Sequence, residues 1–262
     1  MSQNLEMEDQ TKDVVFGEKQ YEQRVKYNEK TGDRNFLEPS DKDTPQIPVF
    51  VYNWGPCLIK TKIKDNFMQL LKEQAKQNYK SYSHKLAGHL KSQIGFDQKS
   101  KDIISPELAK YLGAYDQMYQ RYQNKPYEKK PRYALTSLWC NYQHAGDFQP
   151  PHDHDGALSF VIYLDIPQTL IDENKTYTAT GGRSMGPGAI SFHYGDGNRQ
   201  SITNMSEFPS TGDMFIFPAW LKHWVFPFQS DSVRVSMSGN IHSHVNINML
   251  KENVKVVMDD GE

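Results

Sequence analysis

The chain has 262 residues, 37% hydrophobic and 12% aromatic, with 30 basic against 32 acidic side chains and a formal net charge of -2. This length supports one large or two small domains with a real core, while the balanced charge excludes the electrostatic footprint of a general nucleic-acid binder. No apolar run approaches the roughly 20 residues of a membrane span, and the polar start MSQNLEMEDQTKDVV has no secretory character, so a soluble, cytoplasmic protein is expected.

The mean hydropathy of -0.75 is low for a compact domain. Much of that polarity falls in residues 1–44, where Glu, Asp, Lys, Gln and Asn dominate without any sustained period; this reads as a flexible or surface-lying arm that buries too little area to offset its ordering entropy. Residues 45–132 follow as a helical flank with the first strands. IPVFVYNW, bounded by Pro45, Pro48 and Gly55-Pro56, has the composition of a strand. Ile63, Phe67, Leu70 and Leu71 recur at helical spacing, and a second helix is expected over Ser105–Tyr122, with Ser105 as N-cap, Pro106 in the first turn and Leu108, Leu112, Tyr115 and Tyr119 along one face. Gly88 and Gly95 mark the stretch between them as a turn-rich connection, and NKPYEKKPR, Asn124 to Arg132, as a charged linker.

From Tyr133 the apolar period becomes two. YALTSLWCNY, ALSFVIYLDIP, GAISFHY, GDMFIFP, HWVFPF and SVRVSMSGN are short, rich in aromatic and β-branched residues, and separated by Gly, Pro, Asn and Asp. A β-sandwich or barrel over residues 133–241, with helices on one outer face, is the expected architecture, a mainly β (α+β) domain. Residues 242–262 read as a C-terminal tail, and the whole as one domain. Cys57 and Cys140 form neither a disulfide framework nor a zinc ribbon.

The chemistry concentrates in PPHDHDG, Pro150 to Gly156. Histidines two apart on an extended segment, His152 and His154, project to one side and can reach one ion. His223, which opens the strand after GDMFIFPAWLK, is the candidate third ligand. Arg234 lies in the middle of an apolar strand, an expensive place for a guanidinium unless an anion pairs with it, and Ser236 shares its strand face. His193 is at most a residue of the substrate mouth, and His242 with His244 is a rival His-x-His pair without an evident third ligand. Trp220, Trp224, Phe226 and Phe228 near His223 are candidates for an aromatic wall. Gly181-Gly182-Arg183 and Gly186-Pro187-Gly188 are turn chemistry, since no phosphate-loop register follows them.

These residues resemble a family. Trp139, Asn141, Gly146-Asp147, His152, His154, Ser159 with Tyr163-Leu164, His223 and the Arg-x-Ser of Arg234 and Ser236 resemble the iron(II)- and 2-oxoglutarate-dependent dioxygenases of the double-stranded β-helix (jelly-roll, cupin-like) fold. The match lies in the prolyl-hydroxylase-like group, among bacterial and phage 2OG-Fe(II) oxygenases with a His-x-His motif. It covers roughly Tyr133 to Asn240, with LAGHL at Leu86–Leu90 as a weaker echo.

The resemblance implies that His152, His154 and His223 hold Fe(II), that Arg234 and Ser236 grip the distal carboxylate of 2-oxoglutarate, and that Tyr142 or Asn141 contacts its other end. It also implies hydroxylation of a peptide or small-molecule substrate with conversion of 2-oxoglutarate to succinate and CO2. The sequence departs from the family at His154, where an acid is usual. A neutral imidazole there compensates less of the ion's charge and lets copper or zinc compete. Two other registers stay open: Asp153 or Asp155 turns inward, or His154 is the first ligand and Gly156 leaves a position for water or halide. Two other functions also stay open: a three-histidine cupin-type dioxygenase or isomerase without 2-oxoglutarate, and a non-catalytic β-sandwich binding module.

Overall fold

The structure is a computed structural model and describes residues 55–77, 80–82, 88–123, 131–177, 185–196 and 203–243. The arm expected over 1–44, the strand IPVFVYNW, most of the 124–132 linker, the Gly181-Gly182-Arg183 turn, His244 and the tail beyond it lie outside those residues. In chain order the elements are β1 (Ile59–Lys62), α1 (Asp65–Gln77), β2 (Lys80–Ser81), β3 (Ser92–Gly95), α2 (Gln98–Gln123), β4 (Tyr133–Gln143), β5 (Gln149–His152), β6 (Leu158–Asp165), α3 (Gln168–Thr176), β7 (Ile190–His193), β8 (Asn204–Glu207), β9 (Asp213–Pro218), β10 (Lys222–Val225) and β11 (Arg234–Ser243).

Two antiparallel sheets face each other. The larger has the order β1-β9-β6-β11-β4-β3-β2 and the smaller β5-β10-β7-β8, so from β4 to β11 the chain passes repeatedly from one sheet to the other. That strand order is a double-stranded β-helix with β1, β2 and β3 added at the edges of the larger sheet.

The burial pattern of β6 shows why the larger sheet is central. LSFVIYLD is buried at every position but its last, because both faces of the sheet are covered. Phe160, Ile162 and Leu164 look outward to a core shared with Phe67 and Leu71 of α1 and Ile104, Leu108 and Leu112 of α2. Val161 and Tyr163 look inward, to a second core with Phe215 and Phe217 of β9 and Phe192 of β7. Gly239 of β11 permits the close packing at the centre: a Cβ there would lie 2.7 Å from the Phe160 ring and from the Ser137 carbonyl oxygen.

Several local expectations change. The second helix begins at Gln98 rather than Ser105, because Asp97 caps it by accepting from the Ser100 N–H at 2.8 Å. Pro106 is therefore interior, and Ser105 donates its hydroxyl back to the Lys101 carbonyl at 2.7 Å. The stretch expected as turns contributes β2 and β3, which extend the larger sheet beside β4. Neither α3 nor β8 was expected from the sequence; both are polar, and α3 buries only Leu170. His242 belongs to the last strand, not to a tail.

Phe67 is fully buried between α1 and the larger sheet. Phe67→Ala should destabilise the fold by about 3–5 kcal/mol, read as a lowered urea midpoint with unchanged m-value, while metal binding by the folded fraction persists.

Candidate metal centre

The turns at one end of the sheets bring the three histidines together. β5 and β10 pair antiparallel with His152 directly opposite His223. His154 lies just beyond β5, where its backbone N–H donates to the Ala219 carbonyl at 2.9 Å and so ties it to the β9–β10 turn. The potential ligand atoms of His152, His154 and His223 all lie within 4.8 Å of one another, the one such group of three among the described residues.

Their protonation suits metal binding. Nδ1 of His152 donates to the Pro150 carbonyl at 2.7 Å, and Nδ1 of His223 to the Leu221 carbonyl at 2.9 Å. A carbonyl only accepts, so each Nδ1 carries the proton and each Nε2 keeps its lone pair for an ion. Burial holds all three below the usual histidine range, His154 down to about 4; at His223 burial is the main cause, and the adjoining His152 and His154 lower it in addition. At neutral pH the site is three neutral imidazoles. Neither aspartate of the motif joins them: Asp155 is exposed, and Asp153, half exposed, reaches out to Lys222 Nζ at 3.4 Å. The register with an inward aspartate is therefore not the one adopted.

Behind the histidines lies a pocket lined by His154, His223, Trp139, Asn141, Tyr163 and the inward face of β11. Arg234, 2% exposed, projects into it. Its Nη1 donates to the Gly188 carbonyl at 2.6 Å, and its carbon centre lies 5.3 Å from the Tyr163 ring centroid. The Arg234 Nε and the Tyr163 hydroxyl, both buried, have no hydrogen-bond partner among the described residues. Buried polar groups are nearly always paired, and each unpaired one costs about 1–3 kcal/mol. A guanidinium with an unpaired Nε, an unpaired tyrosine hydroxyl beside it and no counter-ion among the described residues has the donor set that a carboxylate would satisfy.

Ser236, 2% exposed, lines the same pocket and pairs in register with Asn141 and Tyr163. Asn141 is already engaged: its Oδ1 accepts from Gln93 Nε2 at 2.8 Å and its Nδ2 faces the Ser238 hydroxyl at 3.4 Å. Tyr142, the alternative to Asn141, is corrected by the alternation of β4: it packs in the helix-side core, where burial pushes its hydroxyl up to about 12. The expected aromatic wall also divides. Trp220 is 53% exposed, Trp224 and Phe226 are half-buried, and Phe228 is in the inner core. His193 bonds Asn204 and does not line the pocket.

Sequence reasoning gave no role to Tyr163, although its place two residues from Val161 on an alternating strand marks it as inward. It also missed α3, which braces the arginine from both sides. Glu173 accepts from the N–H groups of Gln229 and Ser230, at 2.9 and 2.7 Å, in the segment leading into Arg234. Asn174 donates to the carbonyls of Met185 and Pro187, at 2.6 and 3.1 Å, in the turn that presents the Gly188 carbonyl. Gly188 has φ +74° there, a conformation that other residues adopt with strain.

Residues 137–240 match the model of a family described as "Putative 2OG-Fe(II) oxygenase". The matched segment contains the three histidines, Arg234 and Ser236. Among solved structures the chain is similar to a viral collagen prolyl hydroxylase of Paramecium bursaria Chlorella virus-1 in its 2OG complex, at 12% identity over 70% of this chain and 94% of that one, with a TM-score of 0.43. It is similar to a Pseudomonas putida prolyl-4-hydroxylase at 14% identity, 70% and 90% coverage and a TM-score of 0.40. It is also similar to HygX of Streptomyces hygroscopicus, with nickel, 2-oxoglutarate and hygromycin B bound, at 10% identity, 72% and 83% coverage and a TM-score of 0.43. Likeness at this level adds nothing to what the strand order shows. No curated protein matches the sequence.

The unpaired Tyr163 hydroxyl gives a test that separates stability from binding. Tyr163→Phe should leave the ligand-free protein as stable or more stable, by up to about 1–3 kcal/mol, and should weaken 2-oxoglutarate binding about tenfold, the loss of one hydrogen bond to a charged group. Thermal melts and calorimetric titration of the same samples check both.

Proposed function

We propose that the protein couples oxidative decarboxylation of 2-oxoglutarate to hydroxylation of a peptide or small molecule. In this reading His152, His154 and His223 hold Fe(II), and Arg234, Tyr163 and Ser236 hold the distal carboxylate of the cosubstrate. The observation that carries it is a fully buried arginine with no acidic partner among the described residues, sharing one pocket with a three-histidine cluster. The residues fit both groups: Nε2 lone pairs are presented to an ion, and orphan donors to a carboxylate.

Bound iron would supply activation of dioxygen and oxidation of the substrate C–H bond, with succinate and CO2 as the products from 2-oxoglutarate. The chain's part is positional. Arg234, fixed through Gly188 and braced by α3, sets how deep the dicarboxylate sits, so its keto-acid end is directed toward the histidines. Phe217, Val161 and Ile190 line the pocket and keep water from its inner part. The Pro150 and Leu221 carbonyls hold the rings of His152 and His223 in one tautomer. The exposed Trp220 stands in the turn between the Ala219 and Leu221 carbonyls that anchor His154 and His223, and its ring lies 5.8 Å from that of Tyr194. This aromatic pair is our candidate for the first substrate contact. Arg234 has no role in a three-histidine enzyme that works without a keto acid, which sets that reading behind the first.

The test is succinate formation from 2-oxoglutarate under air with Fe(II). Arg234→Ala should weaken 2-oxoglutarate binding by a factor on the order of 100, as for loss of a charge-assisted pair, with metal binding retained, whereas His223→Ala should abolish metal binding. Unchanged 2-oxoglutarate affinity in Arg234→Ala overturns the cosubstrate assignment.

A further inference from the structure

The pocket holds positive charge with no counter-charge among the described residues. None of its lining residues is acidic. Each buried carboxylate among the described residues is engaged elsewhere: Asp116 with the Tyr133 hydroxyl at 2.5 Å, Asp147 with the N–H groups of Lys91 and His144, and Asp213 with Lys60, Lys62 and the Ser210 N–H. Asp153, which separates His152 from His154 in sequence, is turned to Lys222. The three candidate ligands are uncharged donors, and Arg234 is already buried without an anion.

A divalent ion entering this site adds two positive charges near a buried third, in surroundings that screen poorly. A carboxylate ligand would offset part of that cost; His154 offsets none. The mobile species able to do so is the cosubstrate, a dianion with one carboxylate for Arg234 and a keto-acid end for the ion. We infer that the metal and the keto-acid dianion load interdependently: the site binds its divalent ion weakly alone and tightly only with the dianion, and His154 sets the strength of this coupling. The inference rests on the iron and 2-oxoglutarate reading and adds to it an order of assembly, in which the centre is populated where 2-oxoglutarate is plentiful. Linkage requires the effect to be reciprocal, so the ion must tighten the dianion by the same factor.

The experiment uses the full chain without turnover. Trp139, whose ring lies 5.6 Å from that of His154, provides a fluorescence signal beside the site. Manganese(II) is titrated anaerobically into wild type, His154→Asp and Arg234→Met, each with and without saturating 2-oxoglutarate, and melting curves confirm folding. In wild type, 2-oxoglutarate should tighten manganese about a hundredfold, within the upper part of the usual coupling range. In His154→Asp, manganese alone should bind at least about tenfold tighter than in wild type, and the gain from 2-oxoglutarate should fall by a similar factor. Arg234→Met should also bind manganese alone more tightly, because it removes the fixed charge without touching a ligand; a purely structural role for the arginine predicts no such gain. If His154→Asp does not fold, Arg234→Met decides. Equal coupling in wild type and the folded variants, or manganese alone binding wild type as tightly as either variant, overturns the inference while leaving the proposed function intact. Absence of both manganese and 2-oxoglutarate binding to wild type overturns the proposed function itself.

Discussion

Arg234 is a charge held between two sheets with no acid among the described residues to answer it, and much of the architecture serves to keep it there. Removing a guanidinium from water is costly, so the position must be enforced by the surroundings. β11 enforces it by pairing on both edges, with β4 and β6, which places the arginine at the start of a central strand that cannot swing away. The Gly188 carbonyl takes one N–H, the Tyr163 ring covers the guanidinium, and α3 fixes the segments that approach from either side. The stability of the outer core, where α1 and α2 cover the larger sheet, offsets the unfavourable burial inside. Strain at a site, carried by a scaffold elsewhere, is the usual arrangement where binding requires a group in a poor resting environment.

The sequence displayed the inner architecture more clearly than its flanks, for a physical reason. β6 and β9 are buried strands whose apolar residues alternate between two cores, while β4 and β11 alternate between the outer core and the pocket, and such strands have little freedom of composition. The histidines were legible for the same reason: His152 and His223 follow from strand alternation, as in β10, where His223 and Val225 point in while Lys222 and Trp224 do not. What was missed lies where burial is slight. α3 buries one leucine, so no apolar period announces it, although it carries the two polar residues that brace Arg234. The start of α2 was displaced because Pro106 looked like a first-turn proline, while the effective cap, Asp97, is an aspartate preceding a polar first turn. Tyr142 as the alternative to Asn141 was an error of face: β4 presents Asn141 inward and Tyr142 toward the helices, and the choice between them depends on a register that the sequence does not state.

The same alternation explains why an aspartate at position 153 does not restore a carboxylate to the centre. His152 and His154 share a face because they are two apart, so the residue between them must face away, and Asp153 finds Lys222 instead. Moving it inward would turn both histidines out and break the His154 N–H bond to Ala219. The three-histidine arrangement is thus a consequence of strand geometry, and any negative charge at the centre has to come from position 154 or from a ligand. With histidine at 154 it would come from the ligand, and under the proposed function Arg234, which lines the same pocket, would select a species with two acidic ends.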